Sequence, residues 1–203
     1  MKKLLAAVLL AAVTTLSGCS SVGIKDGAVT LKKADIRISF PEGFSVVTGS
    51  EMYKRLAEKS GGEYADGAEM KKECKQSGQE YLALAEAEDG SVVCTVSAYD
   101  TVNSDGDEIT ASELARVTHD STIFGYLAGG FSTGDNSSFT ESTAAGKSAW
   151  ISHFELLTGE GGEFVLGQTE YTISSDDKIY SVQVVYSSEN SRNTAENILI
   201  ASA

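Results

Sequence analysis

"QEYLALAEAEDGSVVCTVSAY", residues 79–99, decides the fold, because it contains two apolar-rich segments joined by one tight turn. Asp89-Gly90 is a dipeptide that accepts the positive φ angles of a two-residue hairpin turn. After this turn, apolar side chains occupy alternate positions, the period of a strand with one buried face, at Val92, Cys94, Val96 and Ala98. The stretch therefore predicts an antiparallel hairpin whose apolar face packs on a helix.

The segments on either side of this hairpin show further strand and helix patterns. Ile36, Ile38 and Phe40 alternate with polar residues ahead of a Pro-Glu-Gly turn, which predicts strand, turn and strand over residues 34–48. The other predicted elements are helical segments at 49–61, 66–78, 110–128 and 194–203, and strands at 147–157, 163–174 and 178–186. Short connections require antiparallel neighbours. The sequence therefore predicts an α+β fold, an antiparallel β-sheet with helices packed on it.

The N-terminus resembles a bacterial lipoprotein signal. Lys2 and Lys3 precede an apolar run at residues 4–16 that is too short for a permanent membrane-spanning helix. The run ends in Leu16-Ser17-Gly18-Cys19, the spacing of a lipobox, in which a diacylglyceryl group is added to the cysteine thiol. An ordinary secretory signal with an unmodified cysteine is the alternative.

The lipobox sets the predicted domain boundaries. Residues 1–18 are predicted to be a signal peptide, and residues 19–33, which begin at the lipidated Cys19, a small and polar tether. Residues 34–203 have the length of one domain. We therefore expect an extracytoplasmic protein held by its lipid on the outer face of the cytoplasmic membrane, or on an outer membrane where the source has one.

Three stretches resemble the PsbP-like family, which is named after an extrinsic photosystem II subunit and also includes bacterial lipoproteins. They are "RISFPEGFSVV", "AAGKSAWISHFEL" and "QTEYTISSDDKIYSVQVVY" followed by a terminal helix, and the resemblance extends over residues 34–203. It implies an α/β/α sandwich with a binding or assembly role. Its motifs are structural rather than catalytic, and the helical segment at 66–78 departs from the pattern.

The charge limits the classes of partner. The chain has 29 acidic against 16 basic residues and a net charge of −13, and removal of Lys2 and Lys3 makes the mature form more negative still. Nucleic acid and anionic lipid are also negative, so neither is expected to bind the domain surface. We expect no cofactor and no nucleic acid, but a membrane contact through the lipid and a protein partner.

Cys74 and Cys94 remain once Cys19 is lipidated. An oxidising compartment permits one disulfide between them, provided that the helical segment carrying Cys74 covers the apolar face carrying Cys94. Two buried free thiols are the alternative.

"VNSDGDEITASEL", residues 102–114, raises the question of a calcium site. Anchoring Gly106 at the glycine position of an EF-hand loop places Ser112 where a bidentate Glu is needed. The simpler interpretation is an acidic turn at Asn103–Asp107 followed by a capping box between Thr110 and Glu113. Calcium-dependent adhesion through Asn103–Asp107 is kept as an alternative function.

Two further motifs suggest chemistry. "GFSTG", residues 130–134, matches the nucleophile elbow of hydrolases, which needs a strand before Ser132 and a helix after it. A predicted helix precedes it and polar residues follow, so a glycine-rich loop is the preferred interpretation. His153, in the strand "WISHFEL", is interpreted as a partly buried, hydrogen-bonded residue. The two histidines and two remaining cysteines lack the spacing of a zinc site.

These observations favour a membrane-anchored, non-enzymatic binding or assembly module over a serine hydrolase using Ser132. The sequence does not identify the ligand.

Overall fold

Two antiparallel sheets and four helices form the fold in the computed structural model, which describes residues 22–102, 106–159 and 162–203. The helices are α1 (Gly49–Lys59), α2 (Gly67–Gln76), α3 (Ala111–Ala128) and α4 (Glu189–Glu196). The strands are β1 (Val22–Lys25), β2 (Ala28–Leu31), β3 (Ile36–Ser39), β4 (Phe44–Val47), β5 (Gln79–Ala87), β6 (Val92–Tyr99), β7 (Phe131–Thr133), β8 (Ser138–Ala144), β9 (Lys147–Thr158), β10 (Phe164–Ser174), β11 (Ile179–Tyr186) and β12 (Leu199–Ala201). The predicted α+β class is confirmed.

The larger sheet contains the predicted hairpin. Its strand order is β4-β5-β6-β11-β10-β9-β7, β8 pairs with β9 off this path, and every pair is antiparallel. At the β5–β6 turn Gly90 has φ +70°, its amide donates to the Ala87 carbonyl at 2.9 Å, and the Ser91 amide donates to the Asp89 carboxylate at 2.9 Å. The hairpin therefore forms where the sequence predicts it, but not through a two-residue turn: the bond from Gly90 to Ala87 encloses Glu88 and Asp89, and Gly90 alone of the Asp-Gly pair has positive φ.

The smaller sheet, β1-β2-β3-β12, corrects two expectations. The tether predicted through residue 33 instead contains the β1–β2 hairpin, whose turn at Asp26 and Gly27 has positive φ at both residues. The helix predicted over 194–203 instead ends at Glu196, and β12 pairs with β3. The sequence pattern missed both because strands of three or four residues carry little periodicity, and their pairing partners are supplied by the tertiary fold.

The larger sheet is covered on both faces. The smaller sheet and α4 cover one face and bury the largest apolar cluster, which includes Ile36, Ile38, Cys94 and Val184. Helices α1 and α2 cover the β5 side of the other face, and α3 covers its β9 side. The sandwich expected from the resemblance therefore has one helical outer layer and one outer layer that is mostly β.

Cys74 and Cys94 are both free and buried. Of the two possibilities that the sequence left open, the structure therefore has the free thiols and not the disulfide. Successive residues of a strand point to opposite faces, and α2 packs on the face of β6 that carries Val93, whereas Cys94 points toward the smaller sheet. The sheet therefore separates the two thiols.

The glycine-rich loop predicted at 130–134 instead contains β7, and β8 forms at residues for which no element was predicted; both strands join the larger sheet. None of the helices within the described ranges is long and apolar enough to cross a membrane.

Candidate ligand cavity

A cavity of about 300 Å³ lies beside the helical face of the larger sheet, between α2 and the ends of three strands. It is open to solvent and lies at the lower end of the size range of small-molecule sites. Its walls come from α1, α2, the start of β5 and the residues next to β6 and β11, and the lining residues are Tyr53, Lys71, Lys75, Gly78, Gln79, Glu80, Asp100 and Lys178.

Close packing of α1 against α2 positions the helical wall. A Cβ atom at Gly67, the first residue of α2, would lie 2.6 Å from the backbone nitrogen of Lys54, so only glycine permits this approach. The Asp66 carboxylate caps α2 by accepting from the amides of Ala68 and Glu69 at 2.8 and 2.9 Å. The first turn of α2 is therefore fixed in position, and the cavity-lining lysines follow it on the same helix.

Tyr53 forms the inner wall of the cavity. Its side chain is buried, and its hydroxyl accepts a hydrogen bond from the Tyr81 amide at 3.1 Å, which joins α1 to β5. Burial raises the pKa of the Tyr53 phenol, so it stays neutral. The Lys71 ammonium lies 5.7 Å from the centre of its ring, within the range of a cation–π contact.

The cavity is basic although the chain is acidic. Lys71 and Lys75 are four residues apart on α2 and so share one helix face. Within the described part of the chain neither ammonium lies within 4 Å of a carboxylate, whereas Lys178 forms an ion pair with Asp100. Glu80 supplies the other negative charge. Among the described residues, the cavity therefore contains two lysines without a carboxylate partner, Lys71 and Lys75. It also contains Lys178, whose charge is paired with Asp100, and the carboxylate of Glu80.

A band of buried polar side chains begins next to the cavity. Gln79 donates from its side-chain amide to the Tyr99 hydroxyl at 2.9 Å. Across the sheet, the Ser181 hydroxyl donates to the Glu170 carboxyl at 2.7 Å, and burial raises the pKa of Glu170. The buried polar residues of this helix-covered face are Ser97, Ser152, Gln168, Glu170, Thr172 and Ser181. They make the centre of this face polar, between α2 and α3.

A second charged cluster lies on the opposite face, beneath α4. The buried Glu155 accepts a hydrogen bond from the Tyr186 hydroxyl at 2.8 Å and forms an ion pair with Arg192 of α4. The adjoining cavity has a volume of only about 80 Å³, and His153 lines it. The His153 ring bonds to the Thr169 hydroxyl at 2.9 Å, which confirms the interpretation of His153 as a partly buried, hydrogen-bonded residue. This cluster fixes α4 on the sheet.

Ser132 does not lie in a nucleophile elbow. It is in the middle of β7, its hydroxyl donates to the Gly159 carbonyl, and β8 follows rather than a helix. The two histidines of the chain bond to other hydroxyl groups, His119 to that of Ser152 at 2.7 Å and His153 to that of Thr169 at 2.9 Å. Burial lowers the pKa of both rings.

The remaining predicted sites fall partly outside the described residues. Cys19 and the lipobox lie outside them, as do positions 103–105 of the acidic turn. The capping box is confirmed, since the Glu113 amide donates to the Thr110 hydroxyl at 3.2 Å and the Thr110 amide to the Glu113 carboxylate at 3.0 Å. Across the described ranges, no group of three or more His, Cys, Asp or Glu side chains could hold a metal ion.

Sequence reasoning did not find the cavity, because four separate segments contribute to it. The one local signal was the spacing of Lys71 and Lys75. Lys178 and Asp100 come together only when β6 pairs with β11, a contact that no local pattern predicts.

Comparison with known proteins found no matching family model and no matching curated protein. The similar solved structures include the following two. The cyanobacterial PsbP protein (CyanoP) from Synechocystis sp. PCC 6803 has a TM-score of 0.48 at 13% identity over 89% of this chain and 91% of that one. LpqN, described as involved in cell envelope biogenesis of Mycobacterium tuberculosis, has a TM-score of 0.44 at 13% identity over 82% of each chain. The α+β class itself follows from this chain's own sheets and helices.

Proposed function

We propose that this protein is a membrane-anchored extracytoplasmic lipoprotein that acts as a non-enzymatic binding module, with the lysine-lined cavity as its ligand site. The observation that carries the proposal is the cavity itself. It is of small-molecule size, and among the described residues its Lys71 and Lys75 have no carboxylate within 4 Å, in a chain of net charge −13. Clefts lined by charges of one sign concentrate ligands of the opposite sign.

The anchoring part of the proposal rests on the sequence. Cys19 follows a short apolar run and two small residues, as lipidated cysteines do, and each methylene of an acyl chain buried in a bilayer contributes about 0.8 kcal/mol. Two acyl chains are therefore sufficient to hold the domain at the membrane.

Anchoring is tested by fractionating cells that express the wild-type chain or Cys19→Ala. We expect the wild type in the membrane fraction, and the variant either released or left uncleaved. Tight membrane association of a cleaved and unacylated variant would overturn the anchoring proposal.

The cavity is tested by purifying the full-length anchored protein and identifying co-purifying molecules by mass spectrometry. Lys75→Trp adds a bulky side chain to the cavity wall, and Lys75→Gln is the matched control that removes the same charge without the bulk. We expect a molecule that co-purifies with the wild type and is lost from the Trp variant, whereas the Gln variant retains more of it. An identical set of molecules from all three proteins would reject the cavity as the site.

A further inference from the structure

We propose that the cavity binds a small, free oxyanion with two or more negative charges, such as a diphosphate or a tricarboxylate. This inference rests on the proposed function and specifies its ligand. Three of the 16 Lys and Arg residues of the chain line this one cavity, and two acidic residues, Glu80 and Asp100, line it as well. The cavity therefore carries a net positive charge although the chain as a whole is acidic. A cleft lined by one sign of charge concentrates ligands of the opposite sign.

The arrangement of the lysines favours more than one negative charge on the ligand. Lys71 and Lys75 extend from one face of α2, so their side chains start only about 5–6 Å apart. Like charges four residues apart on a helix repel each other, and one anion held between the two ammonium groups removes that repulsion. Lys178, on the opposite wall, adds a third donor, although Asp100 shares its charge.

The presence of lysine rather than arginine determines which anions the cavity can accept. An ammonium is a compact charge on a flexible stem, without the planar fork that lets arginine recognise one carboxylate or phosphate geometry. The cavity therefore accepts both phosphate and carboxylate oxygens, and its size of about 300 Å³ restricts the ligand to a small molecule.

A free ligand fits better than a lipid headgroup. A chain of net charge −13 is repelled as a whole by an anionic bilayer. A small anion reaches the cavity without bringing a charged surface against the domain.

The test is isothermal titration calorimetry of the full-length protein in a neutral detergent, with pyrophosphate and citrate as probes and acetate as the monovalent control. We expect one site for at least one of the two polyvalent probes and little heat with acetate. Lys71→Gln and Lys75→Gln should each weaken binding about fivefold or more, in line with about 1 kcal/mol for an exposed charge pair. Glu80→Gln should strengthen binding, and 0.5 M salt should weaken it.

Lys72→Gln is the matched control, because Lys72 is an exposed lysine of the same helix that does not line the cavity. It should leave the affinity unchanged. Equal loss in the Lys71, Lys75 and Lys72 variants would overturn the proposal, as would the absence of heat with both probes.

Two further outcomes separate this inference from the proposed function. Binding to phosphatidylglycerol vesicles but not to either free probe, with the same dependence on Lys71 and Lys75, would overturn a free ligand in favour of a headgroup. A co-purifying molecule that Lys75→Trp excludes but that Lys71→Gln and Lys75→Gln retain would reject an anionic ligand while leaving the cavity as the binding site.

Discussion

The ring of Tyr186 lies directly against the backbone of Gly167, on the neighbouring strand β10. A Cβ atom at Gly167 would be 2.0 Å from Cζ of Tyr186, and the ring cannot move aside freely, because its hydroxyl is bonded to Glu155 and Phe164 stacks on it at 5.8 Å. Gly167 therefore makes room for the tyrosine that helps to hold the Glu155 cluster together.

We predict that Gly167→Ala destabilises the protein by about 2 kcal/mol or more, the cost of overpacking a filled core. Urea unfolding followed by circular dichroism measures the change. In a Tyr186→Val background, where the ring is absent, the same substitution should cost less. Equal losses of stability in the two backgrounds would show that the contact between Gly167 and the Tyr186 ring is not the cause.

The contact between α1 and α2 gives a second prediction. Gly67→Ala should lower the free energy of unfolding by about 2 kcal/mol and weaken binding at the cavity, because a methyl group there meets the backbone of Lys54 at 2.6 Å. Gly125→Ala, within α3, is the matched control. Nothing lies within 4 Å of its added Cβ, so it should stabilise the protein by about 0.5–1 kcal/mol. We expect the changes in the free energy of unfolding to have opposite signs in the two variants.

Glu86 should make stability depend on pH. Burial alone would raise the pKa of its carboxyl, but the hydrogen bonds and charges of Lys59 at 2.8 Å and Arg55 at 3.0 Å outweigh burial and lower the pKa. A carboxyl whose pKa is lower in the folded protein stabilises the fold above its unfolded pKa, and this contribution is lost as pH falls through the folded pKa.

We therefore expect Glu86→Gln to cost about 1 kcal/mol at pH 7 and progressively less below about pH 4. Urea unfolding of both proteins across this pH range measures the difference. Glu51→Gln, which removes the more exposed partner of Arg55, should cost less at pH 7. A difference between Glu86→Gln and wild type that grows on acidification would contradict the assigned sign.

The two buried cysteines should be free thiols that are protected from thiol reagents, and should not form a disulfide. Burial raises the pKa of Cys94 to about 12 and also raises that of Cys74, so both remain thiols. In the full-length Cys19→Ala variant, without reductant, we expect no reactive thiol in the native state and two in denaturant. Absence of reactive thiols in denaturant would show a disulfide.

A serine-directed fluorophosphonate should not label Ser132, because the two histidines of the chain bond to other hydroxyl groups and β8, not a helix, follows β7. Mass spectrometry of the treated protein locates any adduct. Stoichiometric labelling that Ser132→Ala removes would support the hydrolase alternative instead.

Local sequence patterns predicted the elements whose residues carry their own signal. The turn at Asp89-Gly90, the box at Thr110 and Glu113, and the long strands β9, β10 and β11 all depend on neighbours a few residues away. Each therefore forms where its pattern indicates.

The features that the sequence patterns did not predict share one physical cause: they depend on contacts between distant segments. Cys74 and Cys94 share apolar character, but only the packing of α2 on the Val93 face decides that they cannot meet. Lys178 reaches Asp100 through strand pairing in the same way. The cavity is a property of the assembled fold, so its residues had no common sequence signal.

The pairing of β3 with β12 has a consequence for the order of folding. Ile38 lies opposite Ile200, so one edge of the smaller sheet stays open until the other end of the chain arrives, and Ile198 completes the apolar cluster beneath it only then. Contacts between such remote segments slow folding, because the loop between them must close first. The first three strands therefore remain an incomplete layer until residues 199–201 have been synthesised and can pair with β3.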